Sequence, residues 1–441
     1  MSIFHPNFEL FTLPQIALFE YCLGDADGLT ISPLNEMRLG ACHKPYPNFK
    51  YIHPYIPVKE ARSDFFPPVF PLAPDHRKLP PTSNRSEARR LTVLLMVRNS
   101  APALVLLAVT AVAPFLPGQT ARPEPKRERF QNAEVLYGWA PDIHGHRLRT
   151  FITRPNNAIG KVPAIFFVGW LSCDSVEYPD ADTKDGFGIL LRRLIEQSGY
   201  ATVRVDKPGV GESEGECAKA DFTEELSGYQ SAFDEMLNYD FIDPAKVFVV
   251  GLSNGGGTSA LVPRQHPVRG YIAASSWGRT WYEHMLDLER RRLTEEAKPP
   301  AEVNTAVKAF VEFYILYLMK GMTSGQIIAQ HPEWKSLWYD SPDGQYGRPA
   351  AFYQQLQALN LGEIWQKVNE PVLVIRGSAD NIMSRSDSEA IARIVNQVHP
   401  GHARYLQIDD MTHGFTVNGK FNEELIPTVL TWMREQLATD R

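Results

Sequence analysis

The chain has 441 residues and a formal net charge of −6, with 44% hydrophobic and 22% charged residues. That length holds two or three domains of about 100–200 residues each, and the composition is that of a globular protein. The modest acidic charge, with no basic run interleaved with aromatics, excludes nucleic-acid binding as the main activity.

Residues 1–95 carry 13 of the chain's 34 prolines. That density breaks helices and inner strands, so the segment reads as an irregular, proline-rich extension. A charge-free run follows, Ala101–Leu116, with Met96 and Arg98 just before it. A methionine, a short basic region, an apolar core and a polar stretch form the pattern of a secretory signal. The run falls short of the roughly 20 apolar residues of a membrane span, and Pro102 and Pro114 argue against a buried core helix. Two readings follow. Either the functional start is Met96, with residues 1–95 a mis-assigned extension and 96–121 a signal peptide, or 101–116 is an internal membrane anchor. The first is favoured, and it places the mature chain outside the cell or in the periplasm.

From Glu134 to the C-terminus the pattern alternates between strand and helix. Val135–Trp139 and Arg147–Thr153 flank a hairpin-like turn, Pro141–Gly145. Val162–Trp170 is a continuous apolar run, as a strand buried on both faces requires. A helix over Ile189–Ser198, a strand over Tyr200–Val205 and an amphipathic helix over Phe222–Asn238 follow. Past the turn Asp243-Pro244 come strands at Val247–Val250, Tyr271–Ser275, Val372–Arg376 and Tyr405–Ile408, and a closing helix at Leu425–Leu437. This order implies an α/β fold with a doubly wound, mostly parallel sheet. Residues 281–367 interrupt it. They are helical in pattern, rich in aromatics and far longer than an ordinary connection, and they read as an inserted helical cap.

Gly251-Leu-Ser253-Asn254-Gly255 stands between an apolar strand and a run of small residues. A serine at so sharp a strand-to-helix turn has its hydroxyl pushed into the open, and its neighbours must be small. Such a hydroxyl needs a base and an orienting acid. Asp380 follows the strand Val372–Arg376, at the edge where ligands gather in open parallel sheets. His413, with Gly414 behind it, follows the last strand; Asp409 and Asp410 are the competing acids. Two backbone N–H groups should receive the developing oxyanion: that of Asn254 and that of Trp170, after the strand ending at Val168.

Between those elements, Asp206-Lys-Pro-Gly209-Val-Gly211-Glu-Ser213 resembles the DxxGxGxS turn of α/β hydrolases. With the serine elbow, Asp380 and His413 in the same order, the chain from Glu134 to Leu437 resembles serine hydrolases of that superfamily. Within it, the chain looks like bacterial esterases related to dienelactone hydrolases and prolyl oligopeptidases. Val168-Gly169 replaces the common His-Gly before the oxyanion residue. The resemblance implies acyl transfer to water through an acyl-serine: Ser253 attacks, His413 relays the proton and Asp380 holds the imidazole. No cofactor or metal is implied. A dehalogenase would carry Asp at the elbow, and a dienelactone hydrolase usually Cys.

The expected activity is therefore hydrolysis of a small-molecule carboxylic ester. The alternatives are a serine peptidase on short peptides, a thioesterase and a non-catalytic binding protein on the same fold. Leu171, Trp281 and His284 are candidate substrate contacts, and the aromatic cap points to an apolar or aromatic substrate part. Cys22, Cys42, Cys173 and Cys217 form no CxxC pair and none lies at zinc-ligand spacing from a histidine. Cys173 and Cys217 both fall on loops above the same sheet edge, where an exported domain would bridge them and any other would leave two thiols. His144-Gly-His146 reads as a hairpin turn in preference to a metal pair, and Arg290-Arg-Arg292 as a solvated helix face. Nothing in the sequence sets the oligomeric state.

Overall fold

A computed structural model describes residues 126–439. The proline-rich extension, the signal or anchor segment, Cys22 and Cys42 lie outside the described residues.

Eight strands form one sheet. They are β1 (Ala133–Pro141), β2 (Arg147–Pro155), β3 (Val162–Val168), β4 (Ala201–Val205), β5 (Ile242–Leu252), β6 (Gly270–Ala274) and, beyond a long insertion, two strands at Val372–Gly377 and Ala403–Ile408. Two-residue ribbons in the insertion, β7 (Gly344–Gln345) and β8 (Arg348–Pro349), make the last pair β9 and β10. The order is β1-β2-β4-β3-β5-β6-β9-β10. β1 and β2 are antiparallel to their neighbours, and the other six are parallel. Helices α1 (Gly186–Ser198), α2 (Phe222–Met236), α9 (Arg385–Val398) and α10 (Leu425–Ala438) cover the two faces.

The central strands are apolar throughout because both faces are covered. On β3, Ala164, Phe166 and Val168 join one core with α2, while Ile165 and Phe167 join the other with α1 and α10. The expected strands are all present. β5 begins earlier than its apolar run: Ile242 pairs with Val162, and the register shifts before Ala164 meets Val247. The turn chemistry of Asp243-Pro244 survives inside that irregularity, since the Asp243 carboxylate accepts the Ala245 N–H at 3.1 Å. Helix α9 was not anticipated. Its signal is a capping box in which Ser384 and Asp387 hydrogen-bond each other's backbone N–H.

The insertion between β6 and β9 contains α4 (Trp281–Glu295), α5 (Pro300–Tyr314), a π-turn at Ile315–Met319, α6 (Ser324–Gln330), β7, β8, α7 (Ala350–Ala358) and α8 (Leu361–Gln366). Phe310, Phe313, Tyr314, Tyr317, Phe352 and Tyr353 are fully buried there and continuous with the α2-side core. Among the described residues no helix is long and apolar enough to cross a membrane.

Candidate active site

The parallel strands end along one edge, and every chemically notable loop starts there. β5 delivers Ser253, the residue before the short helix α3 (Asn254–Thr258), with φ 54° and ψ −121°. A non-glycine residue in that region is strained and is held by its surroundings: the Ser253 N–H donates to Ala274 O at 3.0 Å, and Gly256 N–H donates back to Ser253 O at 3.0 Å. A Cβ on Gly251 would lie 2.4 Å from Gly255 O, and one on Gly255 would lie 2.2 Å from Gly169 O. A side chain at Gly251 would collide with the first turn of α3, and one at Gly255 would push the elbow off the loop after β3.

His413 lies past β10, in a loop closed by Thr412 and Thr416, whose hydroxyls are 2.7 Å apart. Its Nδ1 is 3.1 Å from both carboxylate oxygens of Asp380, which fixes the ring hydrogen on Nδ1 and leaves Nε2 to accept from the Ser253 hydroxyl at 3.1 Å. The loop after β9 fixes Asp380 through the N–H groups of Ile382 and Met383, each donating to Oδ1 at 2.9 Å. Burial alone would raise this carboxyl. The hydrogen bond and charge of His413, with the two backbone N–H groups, outweigh it and hold the group below its ordinary range. Asp409 and Asp410 are exposed.

The segment Gly169–Cys173 follows β3 beside the elbow. Gly169 N–H is taken by the Tyr229 hydroxyl at 3.2 Å, while no described residue accepts from Trp170 N–H or Asn254 N–H. Three successive carbonyls of this loop are held from behind by buried cations. Lys207 Nζ donates to Trp170 O and Ser172 O, and Arg348 Nε donates to Leu171 O at 2.9 Å. Burial lowers the Lys207 ammonium to about 8, partly offset by the charge of Glu225. Arg348 comes from the insertion and pairs with Glu225 on α2. A disulfide joins Cys173 to Cys217, with Cα atoms 6.0 Å apart. The sequence reading missed Lys207 and Arg348; the only hint of Lys207 was its place inside the Asp206–Ser213 turn. Asp206 ties that turn to the same region, accepting from Ser175 Oγ at 2.9 Å and Val176 N–H at 2.8 Å. Burial pushes it up to about 6.

Ser253 and His413 open into a cavity of about 230 Å³. Trp170, Leu171, Trp281 and His284 all line it, with Met285, Leu288, Phe187 and Met383. Of the aromatics that mark the insertion in sequence, Trp281 alone reaches this wall among the described residues; the wall gains Tyr346 instead. The others fill the insertion's own core or its surface.

Two further sequence readings resolve geometrically. His144-Gly145-His146 is the β1–β2 turn, with the Asp142 carboxylate accepting both histidine N–H groups at 2.8 and 2.9 Å. Asp142, His146 and Glu224 are metal-type donors within 4.8 Å of one another. His146 Nδ1 sits between the two carboxylates, 2.9 and 3.4 Å away, and the Asp142 hydrogen bond raises its pKa. Arg290–Arg292 are not simply solvated. Arg291 donates to Asn381 O at 2.6 Å and Ile382 O at 2.8 Å, which binds α4 to the loop that carries Asp380.

Sheet order, elbow and the two loops beyond β9 and β10 define a hydrolase of the α/β-hydrolase fold. The family model for serine aminopeptidases, S33, matches residues 189–418, just over half of the chain, and the chain belongs to that family. No match was found among curated protein sequences. Similar solved structures include the esterase Est1E of Butyrivibrio proteoclasticus with ferulic acid bound, at 18% identity, TM-score 0.47, covering 69% of this chain and 100% of that one. An esterase of Pyrococcus furiosus aligns at 13% identity, TM-score 0.44, over 69% and 92% of the two chains. Acetyl xylan esterase 1 of a Thermoanaerobacterium species aligns at 16% identity, TM-score 0.42, over 70% and 86%.

Proposed function

We propose that the protein hydrolyses carboxylic esters of small molecules through an acyl-serine, with Ser253 as nucleophile, His413 as general base and acid, and Asp380 as the group that orients the imidazole. The observation that carries this reading is the hydrogen-bonded series Ser253 Oγ, His413 and Asp380 at the floor of an apolar cavity. Ser253 would lose its proton to His413 as it attacks the carbonyl. The tetrahedral oxyanion would be received by the N–H groups of Trp170 and Asn254, each worth roughly 3–4 kcal/mol of barrier. His413 would then protonate the leaving alcohol, and water would repeat the sequence in reverse. No step calls for a metal or cofactor.

The family description favours a second reading, a serine peptidase acting on short peptides. An aminopeptidase has to neutralise the substrate's terminal ammonium. The wall of this cavity offers apolar side chains, hydroxyls and two imidazoles, with no carboxylate among the described residues, and this favours the ester. The disulfide supports an oxidising location, outside the cytoplasm, where the signal-like segment would deliver the chain.

Labelling with a fluorophosphonate followed by peptide mapping tests the nucleophile. The label is expected on Ser253, and Ser253→Ala should abolish labelling and lower kcat by about 10⁶-fold. A panel of p-nitrophenyl esters and aminoacyl p-nitroanilides separates the two readings. Turnover that survives Ser253→Ala refutes both.

A further inference from the structure

A second imidazole–carboxylate pair borders the cavity that His413 also lines. His284 on α4 lines the wall, and its Nδ1 is 3.1 Å from Asp387 Oδ2 on α9. Asp387 is fully buried and heavily constrained. It accepts from Arg279 Nε at 2.8 Å, from Ser384 N–H at 3.0 Å and from Ser384 Oγ at 2.9 Å. Burial would push this carboxyl up, but His284, Arg279 and the Ser384 N–H hold it well below the carboxylate range, so it stays ionised. Arg291 fastens the same helix to the Asp380 loop. His284 is therefore rigidly placed with its hydrogen on Nδ1, and its Nε2 has no partner among the described residues.

Beside it stands Trp281, with ring centroids 4.8 Å apart. Trp281 lines the same cavity and is 1% exposed, and its indole N–H is buried with no acceptor among the described residues. Leaving that indole N–H unmet costs about 1–3 kcal/mol. The neighbouring stretch of this wall is Met285, Leu288, Ile382 and Met383, so His284 is the polar residue among them. An unpaired imidazole nitrogen on a largely apolar stretch of wall, with the unpaired indole donor buried beside it, points to a polar ligand group.

The geometry points to a hydroxyl-binding subsite formed by His284, set by Asp387, with Trp281 beside it: the ester hydrolysed at Ser253 carries an alcoholic or phenolic hydroxyl on the part that enters this cavity. A hydroxyl fits for a chemical reason. It donates to Nε2 of a neutral imidazole and accepts from the same nitrogen when protonated, and it can accept from an indole N–H. A carboxylate would suit only the protonated ring. It would also need a counter-charge, while Arg279 is already committed to Asp387 and Asp287. This inference rests on the ester reading above and names its substrate class.

The test uses the wild-type protein with methyl ω-hydroxyalkanoates and with monoacetates of α,ω-alkanediols over a range of chain lengths. Each is compared with its deoxy and O-methyl analogues. The hydroxyl compound of at least one series is expected to exceed both analogues in kcat/KM by about tenfold or more, because a buried polar site rejects the analogue that leaves it unpaired. His284→Leu should collapse that ratio to near unity, and His284→Gln, which keeps an acceptor and a donor, should restore part of it. Equal loss for hydroxyl and deoxy esters in His284→Leu would mean a structural histidine and overturns the proposal, as does a wild type that prefers the deoxy compounds throughout. Protection of Ser253 from fluorophosphonate by the same compounds reads binding without turnover. Labelling without hydroxyl preference refutes the subsite alone, whereas absence of labelling refutes the ester reading.

Discussion

Asp380 and Asp206 are both buried carboxyls, and they titrate in opposite directions because of what meets them. Asp380 faces an imidazole and two N–H groups that together outweigh its burial; at Asp206 burial dominates. Asp380→Asn keeps the shape but lets the amide favour the wrong imidazole tautomer, and kcat should fall about 10⁴-fold with Ser253 still in place, measurable in single-turnover experiments. For Asp206 the folded value near 6 lies above the ordinary value of about 3.9. The folded chain thus binds more protons between those limits. The stabilisation is fully present below about pH 4 and is lost as pH rises through 6. Unfolding free energies of wild type and Asp206→Asn should therefore converge or cross in the variant's favour between pH 4 and 6; a constant offset across that window would refute the assignment. The sequence singled out Ser253, Asp380 and His413 because the elbow's small residues and the order of strand ends leave few choices. Lys207, Arg348 and Asp387 escaped it, since their partners lie 37, 177 and 103 residues away and no local pattern announces them.

At the level of elements, the loop after β3 is held from three sides: by Lys207 within its own sheet edge, by Arg348 from the insertion, and by the disulfide to Cys217. The two cysteines are 44 residues apart, and a loop of that size constrains the unfolded chain by about 4 kcal/mol in the chain-entropy model. Cys217→Ser should lower the Tm by roughly 10 °C at fixed scan rate. It should also lower kcat more than it raises KM, because the loop it frees carries the Trp170 N–H. An unchanged Tm, with Cys173 and Cys217 of the wild type both labelled by a thiol reagent in denaturant and located by peptide mapping, would remove the bridge from the account. Strands and their order were readable because burial on both faces leaves uninterrupted apolar runs. The insertion was readable only as a length of aromatic helix. Whether an aromatic fills the insertion or lines the cavity depends on which helix face meets α2 and α4. Phe313 and Trp281 look alike in sequence and both are buried in the same core, yet of the two Trp281 alone also borders the cavity.

On the scale of the whole molecule, the described residues begin ahead of β1 with a strap that the alternating pattern did not mark. Its ties are specific. Arg127 pairs with Glu212 at 2.5 Å and lies 4.5 Å over the Tyr137 ring. The Glu128 side chain is wholly buried and meets Arg204 of β4, which is equally buried, at 2.6 and 2.9 Å. Glu128 also receives the Tyr178 N–H at 2.7 Å, so the strap reaches the loop that runs from the end of β3 to α1. Such a pair contributes little over an apolar replacement, but removing one member strands a charge at a cost of about 3–5 kcal/mol. Glu128→Gln should therefore lower the unfolding free energy by that amount, read as a lower urea midpoint at unchanged m, and a chain beginning at Ala133 should be destabilised relative to one beginning at Lys126. The double variant Glu128→Leu with Arg204→Met should recover most of the loss, since no charge remains to be stranded. If instead the single and double variants are equally unstable, the strap acts through its packing, and the buried ion pair is not what fastens it.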